Sequence, residues 1–207
     1  MGRIGIYGGT FNPPHRGHMQ AARQAVELLN LDKLLLIPDH APPHKTMPEG
    51  TPAAQERLEL VRLTAREIPR AEASDLELLR EGRSYTADTV ELLHRTYPGD
   101  ELFLLMGTDM FLAFPQWREP ETICRYATLV VMLREREEPK LQQELQAQAQ
   151  HIRKKLDGKV KFLKNEALPM ASTDVRRMLT FQAVGDMLTP AVLERIRTFG
   201  FYGASGG

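Results

Sequence analysis

Short apolar runs alternate with longer amphipathic ones along this chain, and this alternation is typical of a parallel sheet with helices on its faces. The apolar runs predict strands at Arg3–Tyr7, Lys33–Pro38, Leu76–Leu79, Glu101–Met106, Thr128–Leu133 and Lys159–Leu163. Between the first two strands, a helical stripe is formed by Met19, Ala22, Val26 and Leu29. Further helices are predicted at Ala53–Glu67, Ala87–Arg95, Lys140–Lys155, Thr173–Leu179 and Pro190–Thr198. We therefore predict an α/β fold with a Rossmann-like, doubly wound parallel sheet, as a single domain over residues 1–203 with a disordered tail at 204–207.

Composition narrows the classes of partner. The 207 residues, 42% of them apolar, are enough to bury one good core. Lys plus Arg and Asp plus Glu balance at 27 each, so we expect a small charged substrate and no nucleic-acid partner. The single cysteine, Cys124, excludes an internal disulfide framework, and no apolar run approaches the roughly 20 residues that span a bilayer. The N-terminus shows no signal-peptide pattern, so a cytoplasmic protein without a membrane partner is expected, and a homo-oligomer is left open.

Three short segments directly follow predicted strands. They are Gly8-Gly9, Pro38-Asp39 and Gly107-Thr108-Asp109. Ligands of an open parallel sheet bind beyond the carboxyl ends of its strands, near the point where strand order reverses. We therefore expect these segments to converge on one crevice, beside a loop over Asp39–Pro52 that is rich in proline and histidine.

The histidine segment, from Gly8 to His18, reads Gly-Gly-Thr-Phe-Asn-Pro-Pro-His-Arg-Gly-His. The glycines predict a tight turn with close ligand approach, and Pro13-Pro14 predicts the entry to a helix. The amides and dipole of that helix start favour an anion, and His15 and His18, one turn apart, can both point at it. The alternatives are an ordinary loop with surface histidines, or a zinc site, which a single cysteine disfavours.

A second segment, Pro-Met-Ala-Ser-Thr-Asp-Val-Arg-Arg from Pro169, reads as a helix start. Ser172 or Thr173 is the expected N-cap, with Asp174 in the first turn. Taken alone, this segment is equally typical of a plain capped helix with exposed arginines.

The two segments together resemble the signatures of the nucleotidyltransferase superfamily. The histidine segment matches Gly-x-Phe-x-Pro-x-His-x-Gly-His at every fixed position, with Asn12 where the family often has aspartate. The second segment resembles Ile-Ser-Ser-Thr-x-Ile-Arg, with Ala171 in place of a serine. The resemblance implies ATP binding by Gly8, Gly9, Thr10, Phe11, His15, His18, Gly107, Asp109, Ser172, Thr173 and Arg176.

Three further stretches are similar to the bacterial nicotinate mononucleotide adenylyltransferases. They are Pro42-Pro43-His44-Lys45, Ser-Tyr-Thr-Ala-Asp-Thr from Ser84, and Gly107-Thr108-Asp109 followed by Trp117. The likeness implies transfer of an adenylyl group from ATP, with magnesium, to nicotinate mononucleotide. It implies catalytic roles for His15, His18, Lys45 and Arg176, and binding of the nicotinate nucleotide by His44, Lys45, Ser84, Tyr85, Thr86, Asp109 and Trp117.

Each of these residues also has a plain structural interpretation. Trp117 could be a packed core indole, Asp109 a helix N-cap and Lys45 a solvated lysine. The alternative functions are a phosphopantetheine adenylyltransferase, a nucleotide-binding sensor without turnover, and a metal-binding protein that uses the histidines at 15, 18, 40 and 44.

Overall fold

A computed structural model describes residues 1–40, 47–80, 82–133, 138–164, 168, 170–181 and 183–204. Within them, six parallel strands form one sheet in the order β3-β2-β1-β4-β5-β6. The strands are β1 (Arg3–Gly9), β2 (Lys33–Pro38), β3 (Ala71–Ala73), β4 (Glu101–Gly107), β5 (Ala127–Leu133) and β6 (Val160–Lys164). The predicted doubly wound α/β fold is confirmed.

Helices cover both faces of the sheet and include every helix that the sequence predicts. They are α1 (Arg16–Leu28), α2 (Ala54–Ala65), α3 (Thr86–Thr96), α4 (Thr108–Ala113), α5 (Pro120–Tyr126), α6 (Pro139–Lys155), α7 (Ser172–Thr180) and α8 (Pro190–Phe199). The sequence patterns missed α4 and α5, which are six and seven residues long and too short to show a helical period. No helix in the described part of the chain is long and apolar enough to cross a membrane.

The four central strands, β1, β2, β4 and β5, bury both of their faces, so the core lies in two layers. Leu104 and Met106 of β4 pack towards α3, α5 and α6, while Phe103 and Leu105 pack towards α1 and α2. The predicted stripe of α1 is confirmed, since Met19, Ala22, Val26 and Leu29 are all buried.

A third cluster joins α7, α8 and residues 201–204 to α2. It includes Val175, Val192, Tyr202 and Ala204. Ala204 is 5% exposed, so the predicted disordered tail is wrong for this residue, while residues 205–207 lie outside those described.

The third predicted strand, Leu76–Leu79, is wrong. Those residues form a turn in which the amide of Leu78 donates to the carbonyl of Asp75, and Leu79 is 78% exposed. The strand lies instead at Ala71–Ala73, where it pairs with β2 at the edge of the sheet. Two alanines and a glutamate give almost no hydrophobic signal, whereas the apolar run that follows does.

Strand order reverses at β1, which pairs with β2 on one side and with β4 on the other. Gly9 at the end of β1 lies opposite Pro38 at the end of β2. The carboxyl ends of β1, β2 and β4 therefore lie side by side, and this class of fold binds its ligands beyond those ends.

Candidate active site

The chain turns after β1 at Phe11 and not at the glycines. Gly8 and Gly9 are the last residues of the strand, whereas Phe11 has φ 45° and a buried ring, and the Asn12–Pro13 peptide bond is cis. The predicted glycine turn is therefore wrong. Open space is nevertheless left at Gly8, where an added Cβ would meet no atom within 4 Å, so a ligand can approach the backbone there.

His15 and His18 cap the start of α1 reciprocally. The amide of His18 donates to Nδ1 of His15 over 3.4 Å, and the amide of His15 donates to Nδ1 of His18 over 3.2 Å. Their ring centroids lie 3.8 Å apart, and the ring of Phe11 lies 5.1 Å from that of His18. The pair is thus an imidazole version of a capping box, in which both rings are fixed by the backbone.

This capping fixes the tautomers of both imidazoles. Burial lowers the pKa of His15 to about 4, although the nearby charge of Asp174 acts to raise it. Burial and the neighbouring His15 lower the pKa of His18 well below its ordinary value. Each ring is therefore neutral at neutral pH, and because each Nδ1 accepts a hydrogen bond, we assign the proton of each ring to Nε2. The pair offers two preorganised N–H donors.

Gly17 has a steric reason to stand between the histidines. A Cβ at this position would lie 3.0 Å from both Cε1 and Nδ1 of the His15 ring. Such a contact would push the ring away from the amide of His18, so the capping geometry favours glycine here.

The depressed pKa of His15 predicts a loss of stability in acid. Above the unfolded pKa of 6.5 both states are neutral, whereas between 6.5 and about 4 only the unfolded chain binds the proton. We expect the free energy of unfolding to fall by about 3 kcal/mol over this range on account of His15. Urea unfolding at several pH values should show a shallower acid slope for His15→Asn, which keeps a capping side chain but cannot titrate. Identical slopes would contradict the assignment.

The second segment packs directly on the first. Oγ of Ser172 donates to the carbonyl of Pro13 over 3.0 Å, and Nη1 of Arg176 donates to the carbonyl of Asn12 over 2.7 Å. Nη2 of Arg176 also donates to Oγ1 of Thr173 over 3.0 Å. These hydrogen bonds therefore hold the start of α7 against the histidine segment.

The predicted N-cap of α7 is wrong, while the first-turn position of Asp174 is confirmed. The cap is Ala171, which makes no side-chain capping bond. The hydroxyl of Ser172 is used instead to hold the histidine segment, a long-range contact that capping patterns do not reveal.

Arg57 of α2 is a site residue that the sequence patterns missed. Its guanidinium is 2% exposed and donates to the carbonyls of Thr10, Asp39 and His40. It also pairs with the carboxylate of Asp39 at 3.2 Å, and that carboxylate accepts the hydroxyl of Thr10. Arg57 thus joins the loops after β1 and β2. The available signal was its position on the buried stripe of α2, four residues before Val61 and seven before Thr64.

The residues predicted to bind the nicotinate nucleotide lie next to the loop that carries Asp39. The amide of His40 donates to Oγ of Ser84 over 3.1 Å, which joins the loop after β2 to the turn before α3. Arg118 lies 4.6 Å over the ring of Tyr85, and Trp117 precedes it. Trp117 is partly buried, with its ring centroid 5.5 Å from that of Phe114, so its indole is packed without being enclosed.

The remaining predicted residues are placed as follows. Gly107 ends β4 and is the N-cap of α4, so Asp109 is not that cap, and its side chain is exposed in the first turn. His44 and Lys45 lie outside the described residues. Among the residues that are described, no group of three or more His, Cys, Asp or Glu side chains could hold a metal ion.

Comparison with known proteins agrees with this geometry. The family model described as cytidylyltransferase-like matches residues 6–178. A Neisseria meningitidis serogroup C protein named a probable nicotinate-nucleotide adenylyltransferase is 34% identical over 203 residues, covering 98% of this chain and 99% of the relative. The one from Pseudomonas syringae pv. tomato is 37% identical, covering 98% and 94%.

A solved structure shows the same fold. Nicotinic acid mononucleotide adenylyltransferase of Plasmodium falciparum, complexed with NaAD, aligns with a TM-score of 0.78 over 99% of both chains, at 15% identity. Full-length identity above 30% to curated relatives, together with the two signatures that meet at Asn12 and Pro13, establishes the family. The chain belongs to the nicotinate-nucleotide adenylyltransferases of the cytidylyltransferase-like family.

Proposed function

We propose that this protein transfers the adenylyl group of ATP to nicotinate mononucleotide, giving nicotinate adenine dinucleotide and pyrophosphate. The observation that carries this proposal is the junction of the two signatures, where Ser172 and Arg176 bind the carbonyls beside the paired imidazoles. That junction gathers N–H donors and a guanidinium at the carboxyl edge of the sheet, as a polyphosphate requires. The names of the full-length relatives support the same reaction.

The chemistry needs positioning and charge stabilisation more than a base. An oxygen of the acceptor phosphate attacks the α-phosphorus in line, the bond to the bridging oxygen breaks, and pyrophosphate leaves with the electron pair. A phosphate monoester is already nucleophilic at neutral pH, so no proton need be removed. The Nε2–H groups of His15 and His18 donate to the α-phosphate and the bridging region, while Arg176 and Lys45 balance the developing charge.

The ATP side is formed by the ends of β1 and β4 and by the start of α7. Gly8, Gly9 and Thr10 offer backbone, and Phe11 contributes through its main chain because its ring is buried. Asp109, which follows Gly107 at the end of β4, suits the diol of a ribose. Ser172 and Thr173 act through the amides of α7, since their hydroxyls already contact Pro13 and Arg176.

The acceptor side is formed by the turn at Ser84, Tyr85 and Thr86 together with Trp117. Nicotinate is a flat, electron-poor ring, for which the face of the Trp117 indole supplies stacking area. Its carboxylate takes hydrogen bonds from the amides of the turn. The hydroxyl of Ser84 acts indirectly because it is buried and bonded to the amide of His40. His44 and Lys45 complete the phosphate contacts of this substrate.

Magnesium would arrive with ATP and help to neutralise the triphosphate. Phosphate oxygens and water supply most of its ligands in such complexes, so a protein carboxylate cage is not required. The donor set of this site fits that arrangement, since it offers N–H groups and a guanidinium, and the carboxylate of Asp39 is bound by Arg57 and Thr10.

One assay tests the reaction against its alternatives. Purified protein with ATP and magnesium is offered nicotinate mononucleotide, nicotinamide mononucleotide or phosphopantetheine, and pyrophosphate and adenylated product are followed. We expect the acid to be the best acceptor, because donors arranged for a carboxylate are left partly unpaired by a carboxamide. Preference for phosphopantetheine, or binding of ATP without turnover, would replace the proposal by the corresponding alternative.

Trp117→Ala should weaken the use of nicotinate mononucleotide by about 1 to 3 kcal/mol, the range for bases stacked on aromatic side chains. The KM for ATP should change little, because the two substrates occupy different sides of the site. Trp117→Phe is the matched control and should retain much of the affinity. A folded Trp117→Ala protein with unaltered acceptor kinetics would show that the indole only packs against Phe114.

A further inference from the structure

A buried carboxyl group, Glu77, lies behind the acceptor side in the segment that follows β3. It is 8% exposed and accepts the hydroxyl of Thr89 over 2.8 Å. The hydroxyl of Thr89 also contacts the carbonyl of Tyr85 over 3.4 Å, and the nearby hydroxyl of Ser84 opposes the rise in the pKa of Glu77. Thr89 is 1% exposed and Ser84 is 8% exposed, so these contacts lie inside the protein.

The protons of this network can be assigned. Oγ of Ser84 accepts from the amide of His40 over 3.1 Å, so its single proton is available for Glu77. Oγ1 of Thr89 accepts from Nη1 of Arg80 over 3.0 Å and donates its own proton to Glu77. Glu77 is therefore the acceptor for the hydroxyl of Thr89, and through Thr89 it is joined to Arg80 and to the carbonyl of Tyr85.

The charge of Glu77 is compensated only in part. Burial and the charge of Asp39 raise the pKa of Glu77, while the two hydroxyl donors and Arg80 oppose that rise. Packing alone would be served by an apolar side chain, because a buried ionisable group must repay its desolvation through such bonds. The carboxyl instead orients the groups around it, and Ser84 begins the turn that faces the acceptor.

We propose that Glu77 is a positioning residue for the second substrate: it fixes Thr89, which contacts the carbonyl of Tyr85, and with it the turn at residues 84–86 whose amides bind the acceptor carboxylate. This role rests on the proposed function of that turn. Glu77 does not touch substrate, and it acts through Thr89 and Tyr85. Its removal should therefore disturb acceptor binding and leave the ATP side, formed by the ends of β1 and β4 and the start of α7, intact.

The variant Glu77→Gln tests this role with little change of shape. A carboxylate accepts through two oxygens and an amide through only one, so the amide cannot keep the contacts of Glu77 with both Thr89 and Ser84. We expect the KM for nicotinate mononucleotide to rise about tenfold, with kcat and the KM for ATP nearly unchanged. The control is Glu56→Gln, which removes a part-buried carboxylate bonded to Arg195 elsewhere and should change neither KM.

A second pair of variants keeps the test decisive should Glu77→Gln not fold. Thr89→Val removes one donor to Glu77, and Thr89→Ser retains it. A higher acceptor KM in Thr89→Val than in Thr89→Ser supports the proposal, and equal values overturn it. Equal increases in the KM for ATP and for the acceptor, or unchanged kinetics in a folded Glu77→Gln protein, would also overturn it. Failure of the parent protein to adenylate nicotinate mononucleotide would instead refute the proposed function.

Discussion

Replacing His18 by alanine should lower turnover by about a hundredfold or more while the protein stays folded. The ring presents a neutral Nε2–H donor whose direction is fixed in advance by the capping bond at Nδ1. Loss of one preorganised donor to transition-state charge costs about 3 to 4 kcal/mol. Steady-state kinetics at saturating ATP and acceptor measure the effect, and thermal unfolding shows whether the fold is retained.

His18 has two tasks, so a second variant must separate them. His18→Asn places an amide oxygen where Nδ1 accepts from the amide of His15, but it offers no donor at the outer position. We expect it to be about as stable as the parent and nearly as slow as His18→Ala. His151→Ala, an exposed position on α6, is the control and should be fully active. Near-parental turnover in His18→Asn would show that His18 acts only as a helix cap.

Local geometry explains why the histidine pair could be predicted from sequence. Residues three apart on a helix lie side by side, so the spacing of His15 and His18 already placed both rings together. The apolar strand before the pair and the buried stripe of α1 after it predict that the pair lies at the carboxyl end of β1. Their reciprocal capping, and hence their tautomers, could not be predicted, because capping requires knowledge of which residue precedes the first turn.

Contacts between distant segments could not be predicted by the same means. Phe11 turns the chain although two glycines precede it, because the buried ring stabilises a conformation that is locally unfavourable. Ser172 donates to a carbonyl 159 positions earlier in the chain, and the sequence offers no signal for that pairing. The edge strand at Ala71–Ala73 is likewise specified by pairing with β2 and not by its own composition.

Arg57→Met should destabilise the protein by about 3 to 5 kcal/mol, as expected when one partner of a buried ion pair is removed. The change leaves the carboxylate of Asp39 and the carbonyl of Thr10 without their guanidinium donor in a buried place. The control is Arg62→Ala on the same helix, whose pair with Glu59 is partly exposed and should cost at most about 1 kcal/mol.

The double variant Arg57→Met with Asp39→Asn shows whether the loss comes from charge. Neutralising Asp39 removes the unpaired buried carboxylate, so the double variant should recover part of the stability that Arg57→Met loses, as measured by urea unfolding. Additive losses would mean that Arg57 contributes mainly through the three carbonyls it binds. Because those carbonyls lie in the loops after β1 and β2, activity should fall in Arg57→Met even where the fold survives. A stable and fully active Arg57→Met protein would show that neither loop depends on this residue.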